Sequence, residues 1–318
     1  MKQDLIIIAG PTAVGKSALS IKLAHAINGE IISADSMQVY KGMNIGSAKM
    51  KMTDMDGIPH YLIDELEPEE EFNVVYFQKR AREAIKEIQA KGKIPIIVGG
   101  TGFYIQSVLY HIDFESTVQE TGYRTELLAI GREKGTAFLH AMLREVDPVS
   151  AEQIHANNMK RVIRALEYYQ LTGTPISAHN LQEREKPAAY HACYFVLNDD
   201  REVLYKRINE RIDKMLKEGL IEEVQSLKSR GCTKDMVSMQ GLGYKEILSY
   251  LNGEYTLDEA TYILKRDTRH FAKRQLTWFR RERDVIWMDR SQYTDEEQML
   301  QNMLRIINEN KTIEMEGN

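Results

Sequence analysis

The sequence predicts an α/β fold: a parallel sheet whose buried strands alternate with helices, interrupted by an all-helical segment. Three observations carry this. The apolar runs Leu5 to Ala9 and Ile94 to Val98 are each followed at once by glycine and then by a helical pattern. Runs without polar alternation suit strands covered on both faces. From Thr121 to Leu171 the pattern is amphipathic and helical, with no strand. His191 to Leu197 then resumes the apolar strand pattern.

Leu5 to Ala9 is the first expected strand. Ser17 to Ile27 follows as a helix, because Leu19, Leu23 and Ile27 recur every four residues. Glu30 to Ala34 is the second strand, Phe77 to Ala90 a helix, Ile94 to Val98 the third strand and Phe103 to Tyr110 a helix. Strand and helix in alternation imply parallel pairing. Pro175 and Pro187 bracket a polar stretch, Ile176 to Lys186, that reads as the exit from the helical insertion. Beyond His191 to Leu197, helices are expected at Arg201 to Leu216, Leu220 to Arg230, Tyr244 to Leu251 and Leu257 to Arg280, with an edge strand at Val285 to Met288. The expected domains are a discontinuous α/β core with C-terminal helices (1–115 and 190–290), a helical insertion (116–189) and a C-terminal tail (291–318), frayed after Asn310.

Composition narrows the function. A hydrophobic share of 43% in 318 residues suits a packed globular chain. The net charge of -5 provides no global field for nucleic acid, so any such site is local. Cys193 and Cys232 have no metal-ligand spacing and read as reduced thiols. The first apolar run ends at Gly10-Pro11, too soon for a signal peptide, and no run is long enough to span a membrane. A cytoplasmic protein without a membrane partner is expected.

Gly10-Pro-Thr-Ala-Val-Gly15-Lys16-Ser17 fits G-x-x-x-x-G-K-[ST], between an expected strand and an expected helix. The core is thus expected to be P-loop NTPase-like. Gly10, Pro11, Thr12, Ala13, Val14, Gly15, Lys16 and Ser17 would wrap a phosphate, with the helix N-terminus adding a favourable dipole. Lys16 would reach the outer phosphates and Ser17 would ligate Mg²⁺. The usual partners of an NTPase are missing. The strand Ile94 to Val98 ends in Gly99-Gly100 rather than a carboxylate, and no Asn-Lys-x-Asp base reader occurs.

Asp35 lies just past the second strand, where carboxyl ends of parallel strands face the ligand crevice. Thr101 arrives at the same edge. A helix-capping role is the alternative for each. Basic residues cluster at Lys160, Arg161 and Arg164, at Arg207 and Arg211, and from Lys265 to Arg283, where the net charge is +6 with Phe271, Trp278 and Phe279 interleaved. In a net-negative chain, phosphate contact outweighs a solvated helix face as the explanation.

The P-loop, Asp35-Ser36, Gln38-Val39-Tyr40-Lys41-Gly42-Met43, Asn44-Ile45-Gly46-Ser47-Ala48-Lys49, Pro59-His60-Tyr61-Leu62-Ile63-Asp64, Val98-Gly99-Gly100-Thr101-Gly102, Val146-Asp147-Pro148, Arg161 to Glu167, Gly241-Leu-Gly-Tyr-Lys245 and Lys273 to Arg280 follow one another in order. Together they resemble the tRNA dimethylallyltransferase family in its bacterial form. The resemblance implies transfer of a dimethylallyl group from its diphosphate to N6 of the adenine 3′ of the anticodon. It implies Asp35 as base, with Lys16, Thr101 and Arg211 at the diphosphate and Arg207 a weaker candidate. It implies RNA contacts from Asp35, Ser36, Met37, Gln38, Thr101, Arg124, Lys160, Arg161, Gln240, Gly243, Tyr244, Lys245, Lys273, Arg274, Gln275, Trp278 and Arg280. The implied partners are dimethylallyl diphosphate, Mg²⁺ and a tRNA anticodon stem-loop clamped by the insertion, and a monomer is expected. Two other readings share the P-loop: a small-molecule or nucleoside kinase, marked by ATP turnover, and a non-catalytic RNA-binding protein, indifferent to Asp35→Asn.

Overall fold

The computed structural model describes residues 4–114 and 122–316, with side chains as far as Asn310. The sheet strands are β1 (Asp4–Ala9), β2 (Gly29–Ala34), β3 (His60–Tyr61), β4 (Ile94–Gly99), β5 (His191–Asn198) and β6 (Val285–Asp289). All pairings are parallel, in the order β3-β2-β4-β1-β5-β6. Ile6, Ile7 and Ile8 of β1 face Ile96, Ile97 and Val98 on one side and Cys193, Tyr194 and Phe195 on the other. Helices α1 (Lys16–Ile27), α2 (Val74–Ala90) and α3 (Gly102–Leu109) follow β1, β3 and β4. The apolar runs of β1 and β4 are buried from both faces, which explains their lack of alternation.

β1 lies between β4 and β5, so the winding of the sheet reverses there and opens a crevice at the strands' carboxyl ends. The turns after β1, β2 and β4 meet at that edge.

The chain forms two compact units, residues 1–109 with 190–318, and residues 110–189. The second holds α4 (Gly122–Lys134), α5 (Thr136–Val146), α6 (Pro148–Gln153), α7 (Met159–Thr172) and α8 (Ile176–Glu185). Leu127, Leu139, Leu143, Val162, Ile163 and Leu166 form its core, at the three- and four-residue spacings an amphipathic helix presents. Asp147 is buried and joins two helix starts: its carboxylate accepts the backbone N–H and hydroxyl of Ser150 and of Ser177. Burial raises its pKa, but these four hydrogen bonds outweigh that and leave the carboxyl below its usual value. Asp147→Ala would strand four donors and should cost about 3 kcal/mol by the usual worth of charged hydrogen bonds and caps. A thermal melt of the variant against the parent measures this. Because the folded-state pKa is depressed, this stabilisation is present at neutral pH. It is lost as the pH falls through the folded value, so the two melting curves should converge in acid.

In the first unit, α9 (Arg201–Lys217), α10 (Leu220–Ser229), α11 (Tyr244–Leu251) and α12 (Leu257–Phe279) follow β5, and α13 (Glu296–Glu316) follows β6. The polar stretch at the exit from the insertion forms a helix, α8 (Ile176–Glu185). One expectation changes. The sequence reads 291–318 as a tail, but α13 packs on α1, carries a stripe of buried Met299, Met303 and Ile307, and is tied by Lys22 bonded to Glu296 at 2.9 Å. The four-residue spacing of those three apolar side chains is what makes a packed helix there. Among the described residues no helix is long and apolar enough to cross a membrane.

Candidate active site

The turn from β1 into α1 is shaped by two glycines. Gly10 has φ 144°, and a side chain there would meet the Leu197 carbonyl of β5 at 2.5 Å. Gly15 has φ 95°, also in the region that favours glycine. Between them Val14 is fully buried and anchors the loop. The Lys16 ammonium folds back and donates to the carbonyls of Gly10 (2.9 Å) and Pro11 (2.8 Å). Ser17 is exposed on the first turn of α1.

This loop opens into a cavity of about 810 Å³. Thr12, Lys16, Ser17, Asp35, Thr101 and Arg211 line it, together with the apolar side chains of Ile31, Val98, Ile208, Ile212 and Met215. No helix starts directly after Asp35, so it is not a helix cap; it fixes a turn and lines the cavity. Its Oδ1 accepts the N–H groups of Met37 (2.8 Å) and Gln38 (3.3 Å), which fixes the turn after β2. Among the described residues its Oδ2 accepts no hydrogen bond, and the residue faces the cavity. Thr101 donates its backbone N–H to Ala34 (3.3 Å), so the turns after β2 and β4 are joined.

Burial lowers the Lys16 pKa to about 7, with the Arg211 guanidinium pushing the same way and Asp35 pulling upward. Arg211 is likewise lowered by burial, against an upward pull from Asp35. Two partly buried cations beside one carboxylate leave a local surplus of positive charge, which favours an anionic ligand. Arg211 donates to the Thr12 hydroxyl at 3.2 Å. Arg207 is instead engaged by the buried Asp199 at 2.5 Å. Of the two arginines, Arg211 is the one bonded to the loop.

Ser36, Met37 and Gln38 line the same cavity. Ser33 donates its hydroxyl to the Gln38 amide oxygen (2.9 Å), which directs the amide nitrogen toward the Ser47 carbonyl (3.4 Å). The loop carrying Ser47 hangs on Glu223, whose carboxylate accepts the N–H groups of Asn44, Ile45 and Gly46 at 2.8–3.0 Å. Tyr244, expected at an RNA surface, is fully buried instead. Its hydroxyl donates to Glu223 (2.8 Å) and accepts from the Ser47 N–H (3.1 Å), and its ring lies where a side chain on Gly46 would go. Gly243 is buried beside it, whereas Gln240 is exposed and Lys245 lines the cavity. Glu223 was not foreseen: only a fold that brings residues 44–46 against α10 shows its use.

On α12, Lys273 and Arg274 are exposed, as is Arg280 just past its end, while Gln275 is buried and bonded to the P-loop. In the helical unit Lys160 and Arg161 are exposed on α7. Arg124 makes two hydrogen bonds, 2.9 and 2.8 Å, to the buried Glu167. Among the described residues, no cluster of three or more His, Cys, Asp or Glu could hold a metal by itself. A hard cation here would need ligand oxygens beside the Ser17 hydroxyl, and a bound diphosphate would supply them.

Comparison with known proteins gives the family. Residues 38–282 match the family model described as IPP transferase. A tRNA dimethylallyltransferase of Lachnoclostridium phytofermentans is 58% identical over 311 residues, covering 98% of this chain and 99% of that protein. That of Carboxydothermus hydrogenoformans is 55% identical, covering 91% and 93%. The structure of full-length tRNA isopentenylpyrophosphate transferase from Bacillus halodurans superposes with a TM-score of 0.75 at 43% identity, over all of both chains. A eukaryotic dimethylallyltransferase acting on tRNA gives 0.78 at 32% identity, over 90% of this chain and 74% of that one. By sequence, by fold and by its P-loop beside Asp35, this chain belongs to the tRNA dimethylallyltransferase family of prenyl-transferring enzymes.

Proposed function

We propose that this enzyme transfers the dimethylallyl group from dimethylallyl diphosphate to N6 of the adenosine immediately 3′ of the anticodon in tRNA, releasing diphosphate. One observation carries the reading: a P-loop, the partly buried Lys16 and Arg211 cations and the Asp35 carboxylate open into one cavity that also has an apolar stretch of wall, from Ile31, Val98, Ile208, Ile212 and Met215. A diphosphate fits the cations and a five-carbon alkenyl group fits the wall.

The N6 lone pair of adenine is delocalised into the ring, so N6 needs a base as it reacts. N6 attacks the allylic carbon, the carbon–oxygen bond breaks, and its electron pair leaves on the diphosphate. The N6 proton passes to Asp35 Oδ2. The P-loop N–H groups, Lys16 and Arg211 would stabilise the charge on the leaving oxygen, and Thr101, which lines the same cavity, would meet the bridging oxygen. Ser17 and the diphosphate would hold Mg²⁺, which when bound neutralises part of the leaving group's charge. Asp35 to Gln38 would receive the adenine once it leaves its stack. Gln240, Lys245, Lys273, Arg274, Trp278 and Arg280 would bind the RNA, as would Arg124, Lys160 and Arg161 of the helical unit, by backbone and shape contacts. The enzyme would act in the cytoplasm as a monomer.

The test is a transfer assay with Mg²⁺, labelled dimethylallyl diphosphate and an anticodon stem-loop carrying adenine 3′ of the anticodon. Label in the RNA is expected. ATP turnover with a small acceptor, and no label in the RNA, would make this a kinase.

A further inference from the structure

Helix α12 has two faces with different surroundings. Phe271, Arg274 and Gln275 line the cavity. Lys273, Arg274, Thr277, Trp278 and Arg281 line a separate basic groove of about 430 Å³. Gln275 itself is only 7% exposed and makes two hydrogen bonds, each to backbone. Its amide oxygen accepts the Thr12 N–H of the P-loop at 2.9 Å. Its amide nitrogen donates to the Gly100 carbonyl, just before Thr101, at 3.0 Å. The fit at Gly100 is close, since a side chain there would lie 2.1 Å from the Gln275 amide nitrogen. One helical turn further on, the Trp278 ring fills the space beside Gly102, where an added carbon would come within 2.2 Å of it. α12 therefore holds both neighbours of Thr101, and the same glutamine holds the P-loop.

We infer that Gln275 is a positioning residue for the donor: by joining the Thr12 N–H to the Gly100 carbonyl, it sets the P-loop and Thr101 at the separation a diphosphate requires. This rests on the reading of the cavity as a diphosphate site, and it gives Gln275 a task distinct from RNA contact. A primary amide suits it, because one end must accept and the other donate, without a charge that would repel the ligand. The neighbouring Arg274 and Trp278 reach the groove, so the helix that would meet RNA is also the one that braces the donor loop.

The test uses Gln275→Met, which keeps the side chain's length and volume and removes both hydrogen bonds. With the full-length enzyme, the KM for dimethylallyl diphosphate should rise about tenfold, the scale of one to two net hydrogen bonds. The KM for the stem-loop, and its affinity by fluorescence anisotropy without donor, should stay unchanged. Partial misfolding would instead lower kcat and leave both KM values alone. Gly100→Ala, which displaces the Gln275 amide from the other side, should show the same split and carries the test if Gln275→Met does not fold. Calorimetry with inorganic diphosphate and Mg²⁺ measures the same weakening without any transfer, so a failed transferase reading and a failed bracing role give different results. A loss of stem-loop affinity with diphosphate affinity intact would overturn the inference and make Gln275 an RNA contact. Unchanged constants throughout would overturn it as well.

Discussion

Asp35→Asn should lower the rate of transfer by about 10² to 10⁴-fold, the usual contribution of a positioned general base. It should leave diphosphate and stem-loop affinities close to those of the parent. The geometry makes this substitution unusually clean. Asp35 Oδ1 holds the turn by accepting the N–H groups of Met37 and Gln38, and an asparagine oxygen can do the same. What asparagine cannot do is take a proton at the other position. Single-turnover rates with saturating donor and RNA would measure the loss in the chemical step, and equilibrium binding would verify that the turn is intact. Equal rates for variant and parent would remove Asp35 from the chemistry and leave it as a turn residue. Asp35→Ala should lose more, because the turn loosens as well.

The second large effect is at Lys16. Lys16→Met should weaken diphosphate binding and reduce transfer by about 10² to 10³-fold, the scale of a lost charge-stabilising donor. The pH dependence follows from its pKa of about 7 in the free enzyme, depressed by burial and by Arg211. A bound diphosphate favours the ammonium and raises that value, so between the free and bound pKa values the free enzyme carries fewer protons. Binding should then take up close to one proton at pH 8 to 9, and affinity should fall with rising pH across that window. Below about pH 6 this group adds little pH dependence, because it is then protonated in both states. Calorimetry in buffers of different ionisation enthalpy counts the protons directly. The uptake should vanish in Lys16→Met, and its persistence there would assign the proton to another group.

Much of this was legible in sequence because parallel sheets convert chain order into place. β1, β4 and β5 are continuous apolar runs, and a residue just after such a run must lie at the carboxyl edge. That logic puts the P-loop, Asp35 and Thr101 at one crevice from chain order alone. The limits have equally physical causes. β3 is two residues long, too short to leave a pattern. In α13 the stripe of Met299, Met303 and Ile307 is masked by the polar and charged residues around it. Tyr244 and Gln275 belong to segments that resemble RNA-contacting stretches, yet a helix turns its residues in different directions. Their side chains point inward to partners 197 and 263 positions away in the chain. Glu223 bonds residues 44–46 across a similar separation, and local sequence cannot show such a contact.

The central claim is that the P-loop serves a prenyl diphosphate rather than a nucleotide. The most direct measurement supplies labelled dimethylallyl diphosphate and ATP together, with Mg²⁺ and the anticodon stem-loop, then digests the RNA and identifies the labelled nucleoside. The account predicts one dimethylallyl group per RNA, on N6 of the adenosine 3′ of the anticodon, one diphosphate released, and ATP unchanged. Unlabelled RNA with ATP consumed would contradict it.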